Sequence, residues 1–167
     1  RDIRRGHRSD IKRGLLAIET EVFHGPGVSV EEFDAYREMH HRDAGRITRP
    51  MRTFSIQHEW ILNGRAVLIG SKYQGEWVGF NYLMLHGTGA YYLSACEEPD
   101  VHVPVPVGHA LQWTAIQWLK DQGYERYEIG RQYFGAQLHD APSAKEISIS
   151  NFKRRFGGKA ITAHAGE

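Results

Sequence analysis

The chain has 167 residues, is 41% hydrophobic and carries a formal net charge of +1, which suits one globular domain with a proper core. That near-neutral balance excludes bulk attraction to nucleic acid or to an anionic membrane, so any such role must come from a local patch. A single cysteine, Cys96, excludes an internal disulfide framework, and no Cys/His spacing resembles a metal site. There is no long apolar run and no signal-peptide layout, so the expected location is the cytoplasm, with the inner membrane surface as the other placement. The chain opens on Arg1 in what already reads as helix, and we expect a piece of a longer protein.

In chain order, Asp2 to Lys12 reads as a basic helix with Arg4, Arg8 and Lys12 on one face and Gly14 as its stop. Leu15 to Phe23 is strand-like, with Leu16, Ile18, Thr20 and Val22 on one face. Gly25-Pro26-Gly27 makes a sharp loop, and Ser29 with Glu32 supplies a capping box for a helix ending near His41. A polar loop from Asp43 to Pro50 leads into a helix from Thr53 to Leu62. Strands follow at Ala66 to Tyr73, Trp77 to Leu85 and Ala90 to Cys96, with turns at Gln74-Gly75 and Gly87-Thr88-Gly89. A proline-rich connection precedes an amphipathic helix, Gly108 to Gln122, with Gly123 as its cap. Tyr124 to Gly130 is a strand. Ser143 with Glu146 opens a further helix whose Ile149, Phe152 and Phe156 recur at core spacing. Lys153 lies beside that stripe, where its stem can pack while its ammonium reaches a cleft. Lys159 to Ala163 reads as a last strand. The order predicts an α/β (α+β) fold: a mixed, mostly antiparallel sheet flanked by helices, without a dinucleotide or Walker loop.

Two segments carry a resemblance. Tyr124-Glu125-Arg126-Tyr127-Glu128-Ile129-Gly130 and Phe152-Lys153-Arg154-Arg155-Phe156-Gly157-Gly158 resemble the Fem-type acyltransferases, in which a Tyr-Asp-x-Gly strand end precedes a helix carrying Phe-Lys-x-x-Phe-Gly. The element order is that of the GNAT fold, and the opening residues 3–14 look like the basic helix that starts the second of two GNAT units. The resemblance implies a single GNAT-like domain over residues 1–167 that is the C-terminal part of a two-unit protein, with a missing N-terminal unit as partner. It implies N-acyl transfer, from aminoacyl-tRNA or an acyl-CoA as co-substrate, to an amine of a cell-wall or surface-polysaccharide precursor. It also places substrate phosphate binding and transition-state stabilisation on Lys153. Glu128 stands for the usual Asp, and Arg131 for a second Gly.

Acyl transfer to an amine needs a neutral amine, a home for the tetrahedral oxyanion and a proton for the leaving group, but no covalent nucleophile. Cys96 therefore reads as a packed small residue. Lys153, Tyr133 and Glu128 are the catalytic candidates: Lys153 for developing charge, Tyr133 for a proton or a substrate contact, Glu128 to orient a neighbour. Arg131 and Phe152 are candidates for holding substrate, and His139 lies in the same loop. Arg46 and Arg49 are candidate clamps for an anionic acceptor such as a nucleotide-linked sugar. Glu97, Glu98, Asp100 and His102 cluster before the Gly108 helix, where His102 or a carboxylate can take a proton. Pro104 and Pro106 remove N–H donors where a CoA pyrophosphate needs them, leaving Gly108 and His109 as a weaker anion site. Each group also fits a solvated surface. The alternative function is a non-catalytic binding lobe for a polysaccharide precursor or a partner catalytic unit. A tRNA-binding module led by Arg4, Arg8, Lys12 and Arg13 is a further alternative, although no aromatic residues interleave those cations.

Overall fold

The computed structural model describes residues 3–136 and 141–162; Asp2, His139 and Ala163 lie outside them. The chain divides into two compact units, one of residues 10–129 and one formed by the two chain ends, 1–9 and 130–167.

The larger unit holds five strands, β1 (Glu19–Phe23), β2 (Ala66–Tyr73), β3 (Glu76–His86), β4 (Gly89–Glu97) and β5 (Arg126–Glu128), in spatial order β1-β2-β3-β4-β5. The first four pair antiparallel, and β5 joins β4 in parallel. The period of two in β2 sorts the core into two layers. Ala66 and Leu68 face helices α2 (Val30–Ala44) and α3 (Met51–Leu62), packing with Phe33, Tyr36, Met39, Phe54 and Ile61. Val67 and Ile69 face α4 (Val107–Asp121), packing with Leu111, Ala115 and Leu119. Two bulges adjust this alternation, with Val78 inserted opposite Ser71/Lys72 and Leu93 opposite Tyr82/Leu83. A bulge adds an unpaired residue and increases local twist. Gln74 and Gly75 both take positive φ, 54° and 87°, as a two-residue hairpin loop requires.

The capping box at Ser29 and Glu32 forms as expected, and Gly45 closes α2 in the left-handed region, four residues beyond His41. The start of the chain differs from expectation. Helix α1 (Arg5–Ala17) runs through Gly14 and takes the first three residues of the anticipated strand, so β1 begins only at Glu19. Leu16 is 78% exposed while Ile18 is buried, so the assumed shared face does not exist. Gly14 is small for a tertiary reason. A Cβ there would sit 3.0 Å from the Pro106 carbonyl oxygen and 3.1 Å from the Ala110 Cβ, so α1 lies directly on the first turn of α4.

In the terminal unit, Ser143 and Glu146 form the second capping box and open α5 (Ala144–Arg154). The imidazole of His7, itself buried, donates from Nε2 to the Phe152 carbonyl at 3.1 Å. It packs edge-on to Phe156 at 4.8 Å between ring centroids. Phe156 is buried, but Ile149 is exposed, so only part of the expected stripe is covered. Residues 159–162 form no strand. Ile161 is 87% exposed, and alternation without a partner strand does not hold a chain extended.

Replacing Gly14 with Val would force side-chain atoms against a backbone carbonyl that cannot rotate away. Urea unfolding of Gly14→Val should show a loss of about 1–3 kcal/mol, despite the better intrinsic helix propensity of Val over Gly. An unchanged midpoint would refute the close α1–α4 contact.

Candidate active site

Strands β4 and β5 pair only over Gly89–Tyr91 and Arg126–Glu128. Beyond Tyr91, β4 runs on to Glu97 with no strand beside it on that side among the described residues. The Leu93 bulge sits at the start of this run. The parting of two parallel neighbours leaves β4 beyond Tyr91 with β3 as its strand partner among the described residues.

The gap ends at α4. Glu97 lies on the same sheet face as Gly79, and the Gly108 N–H at the first turn of that helix is near enough to its carboxyl to act on its pKa. Desolvation at the strand end and the charge of Asp43 push the Glu97 carboxyl above its usual range, although part of the side chain stays exposed. The His109 N–H donates to the Pro106 carbonyl at 3.2 Å, and its imidazole lies 3.7 Å from Asp10. Left open, a helix N-terminus is a ready phosphate site. This one has the chain's own carboxyl near it, and Pro104 and Pro106 bring no N–H.

On the opposite face of β4, Tyr36 of α2 reaches Ser94, oxygen to oxygen at 2.6 Å. Either hydroxyl can be the donor in this bond, and the nearby Arg49 guanidinium acts on Tyr36 as a smaller, pKa-lowering influence. Burial pushes the Tyr36 pKa up to about 12, with Ser94 opposing. The Nη1 of Arg49 is buried without a hydrogen-bond partner among the described residues. His40 is half-buried and shares a 3.1 Å hydrogen bond with Thr48. Its pKa is lowered, first by desolvation and then by the charge of Arg49. Beside this group Arg42 clamps Glu98 through two nitrogens, at 2.6–3.3 Å, and holds its carboxyl below the ordinary range. A buried chain also links the sheet to α4. Asn81 donates to Gln112 at 3.4 Å, and Gln112 donates to the Tyr127 hydroxyl at 3.0 Å.

In the terminal unit Lys153 is half-buried on the last turn of α5. Burial lowers its pKa by desolvation, which disfavours the charged form. Phe152 packs against His7 and Phe156, at 5.6 and 5.2 Å between centroids. The Tyr133 N–H donates to Ser150 Oγ at 3.0 Å, and its carbonyl accepts from Arg154 at 2.9 Å. The Arg131 guanidinium lies 5.0 Å from the Tyr133 ring, as cation–π contact favours.

The larger unit thus brings Gly108 and His109 to one helix end and Arg49 to the Tyr36 group. It leaves Arg46 and His102 exposed and Glu128 exposed at the end of β5. The terminal unit gathers Arg131, Tyr133, Phe152 and Lys153 on α5 and the loop before it. Sequence reasoning missed the Tyr36–Ser94 and Gln112–Tyr127 bonds. The first joins elements 58 residues apart, the second consecutive elements 15 residues apart, and neither leaves a spacing to read. It also missed Arg154, which anchors the loop by Tyr133 and lies 4.4 Å from the Phe134 ring.

Residues 1–154 match the acetyltransferase (GNAT) domain family. The chain belongs to that family. No curated protein sequence matches it. Among solved structures it is similar to FemX (15% identity, TM-score 0.70, covering 93% of this chain and 54% of that one). It is also similar to L-PGS from Bacillus licheniformis (18%, 0.64, 92% and 50%). A third is the aminoglycoside N-acetyltransferase AAC(6')-Iy in complex with CoA (10%, 0.60, 90% and 93%). The chain spans about half the length of FemX and L-PGS. These likenesses establish the GNAT fold, the mixed and mostly antiparallel sheet flanked by helices that the sequence predicts. No helix among the described residues is long and apolar enough to cross a membrane.

Two measurements probe the Tyr36 group. Tyr36→Phe leaves Ser94 without its hydrogen-bond partner in a buried setting and should cost about 1–3 kcal/mol. Adding Ser94→Ala should recover part of that loss, so strict additivity would contradict the bond. For His40, the folded state resists protonation while the unfolded imidazole accepts a proton near pH 6.5. Stability should therefore fall as pH drops below about 6.5 and level off once the folded imidazole also charges. The same titration on His40→Gln should show a shallower fall.

Proposed function

We propose that this chain is an N-acyltransferase unit of the Fem-like kind, passing an aminoacyl or acyl group to an amine of an anionic cell-wall or surface-polysaccharide precursor. The observation that carries this is Lys153. It is a half-buried ammonium with a lowered pKa, in a Phe-Lys-Arg-Arg-Phe-Gly-Gly run at the end of the family's last matched helix.

When the amine attacks an ester or thioester carbonyl, the carbonyl oxygen becomes an oxyanion, and Lys153 is the cation that stabilises it. A partly dehydrated ammonium loses little further hydration as it does so. Tyr133, held by Ser150 and Arg154, and Arg131 beside its ring position the substrate, with Phe152 packing next to them. Glu128 orients a neighbouring group at the β5 end. On the acceptor side, the unpaired Nη1 of Arg49 offers a donor to a phosphate or carboxylate oxygen, with Arg46 exposed nearby in the chain. His102 is the exposed base available to the attacking ammonium. The proline-flanked α4 N-terminus favours aminoacyl-tRNA over acyl-CoA as donor, with Gly108 and His109 serving the strand end more than a phosphate. The larger protein supplies a further GNAT unit.

In the full-length protein, Lys153→Ala should lower kcat/KM by about 10²–10³-fold with the fold intact by circular dichroism. Lys153→Arg should not restore it, because the guanidinium places its charge differently. Turnover unaffected by Lys153→Ala would give the chain the role of a binding lobe. Acetyl-CoA at about 100 times its Kd would add about 2.7 kcal/mol to a protein that binds it. We expect no such thermal shift here, and a clear one would restore acyl-CoA as donor.

A further inference from the structure

The net charge of the chain hides a local excess. Residues 40–55 contain four arginines and one aspartate, a net of +3 in a chain whose total is +1. Arg42 is neutralised by Glu98, but no carboxylate among the described residues pairs with Arg46, Arg49 or Arg52. Between these cations the α2–α3 connection presents apolar side chains to solvent. Ile47 is 78% exposed and Met51 60%, and Pro50 between them is exposed too. The connection is held in shape from both sides. Gly45 turns the chain out of α2 at φ 63°, Thr48 is tied to His40, and the Met51 sulfur accepts from Arg37 at 3.2 Å.

We propose that this connection docks on a lipid bilayer bearing anionic headgroups, with Ile47 and Met51 entering the interface and Arg46 and Arg52 meeting the phosphates. Cations flanking exposed aliphatic side chains are the pattern of a peripheral interfacial anchor. Each arginine near an anionic surface adds to the attraction, which fades within a Debye length. The choice of apolar residue separates this partner from RNA. Bases stack on aromatic rings, and residues 45–52 contain none, whereas Ile, Met and Pro suit acyl chains. The inference does not rest on acyl transfer, since a chain with no turnover would dock in the same way.

The test is sedimentation of the full-length protein with vesicles of 70% phosphatidylcholine and 30% phosphatidylglycerol, against vesicles of phosphatidylcholine alone. The expected result is co-sedimentation with the first only, weakened by salt. It should fall at least tenfold in Arg46→Glu/Arg52→Glu, taking about fivefold per charge removed, and severalfold in Ile47→Asp. A dye that brightens in apolar surroundings, attached to Ile47→Cys, should shift to the blue on anionic vesicles. The native thiol, Cys96, is buried and will not compete for label. The same dye on Leu16→Cys, a residue equally exposed on α1, should not shift. Three results would overturn the proposal. These are no binding to anionic vesicles at low salt, binding that survives the charge reversals, and a dye response at position 16 instead of 47. Retention of tRNA, lost in the same variants and without vesicle binding, would assign the connection to RNA and overturn it as well.

Discussion

Where β4 stops pairing with β5 decides what the larger unit can bind. Three residues of parallel ladder hold the strands together at one end, and the next six residues of β4 have a neighbour only in β3. The divergence has a local cause and a cover. The extra residue at Leu93 increases the twist where separation begins. Helix α4 lies over the sheet close enough that a Cβ on Gly79 would touch Val107 and Leu111 at 2.9 and 3.0 Å. Small residues at Gly14 and Gly79 thus let α1 and β3 both approach the first turns of α4. The helix end beside the gap is fixed by packing before any ligand arrives.

That fixed end is also where the chain's own acidic group comes nearest to a helix N-terminus. An open N-terminus attracts phosphate through its N–H groups and its dipole. Here Glu97 supplies the negative charge from the same chain. The raised pKa of that carboxyl shows that desolvation and Asp43 cost more than the Gly108 N–H returns.

Much of the fold was legible because its signals are local. Ser29 with Glu32 and Ser143 with Glu146 each act within three residues, and Gln74-Gly75 fixes a hairpin by itself. The three long strands were legible from their apolar runs and the turns between them, although β2 and β3 are each buried along six successive residues and show no alternation there. Gly14 was misread because a glycine that ends a helix and a glycine that admits a neighbouring helix look alike in sequence. The contact with Pro106 lies some ninety residues away. Strand pairing at residues 159–162 failed for the complementary reason, that alternation states a preference but supplies no partner. The Tyr36–Ser94 bond spans 58 residues, so the polar group around Arg49 could be suspected only from its arginines. Lys153 was reachable through its motif, whereas its half-burial was not.

Burial gives that lysine its chemical character. Loss of water lowers its pKa, because desolvation disfavours the charged form. An ammonium in full solvent must shed its hydration to meet an oxyanion, and much of the gain is lost in doing so. One already short of water gains more from the charge that appears in the transition state than from a neutral carbonyl in the ground state. That differential is what accelerates a reaction. The motif places the lysine, and the packing of Phe152 and Phe156 around His7 holds the helix end on which it sits.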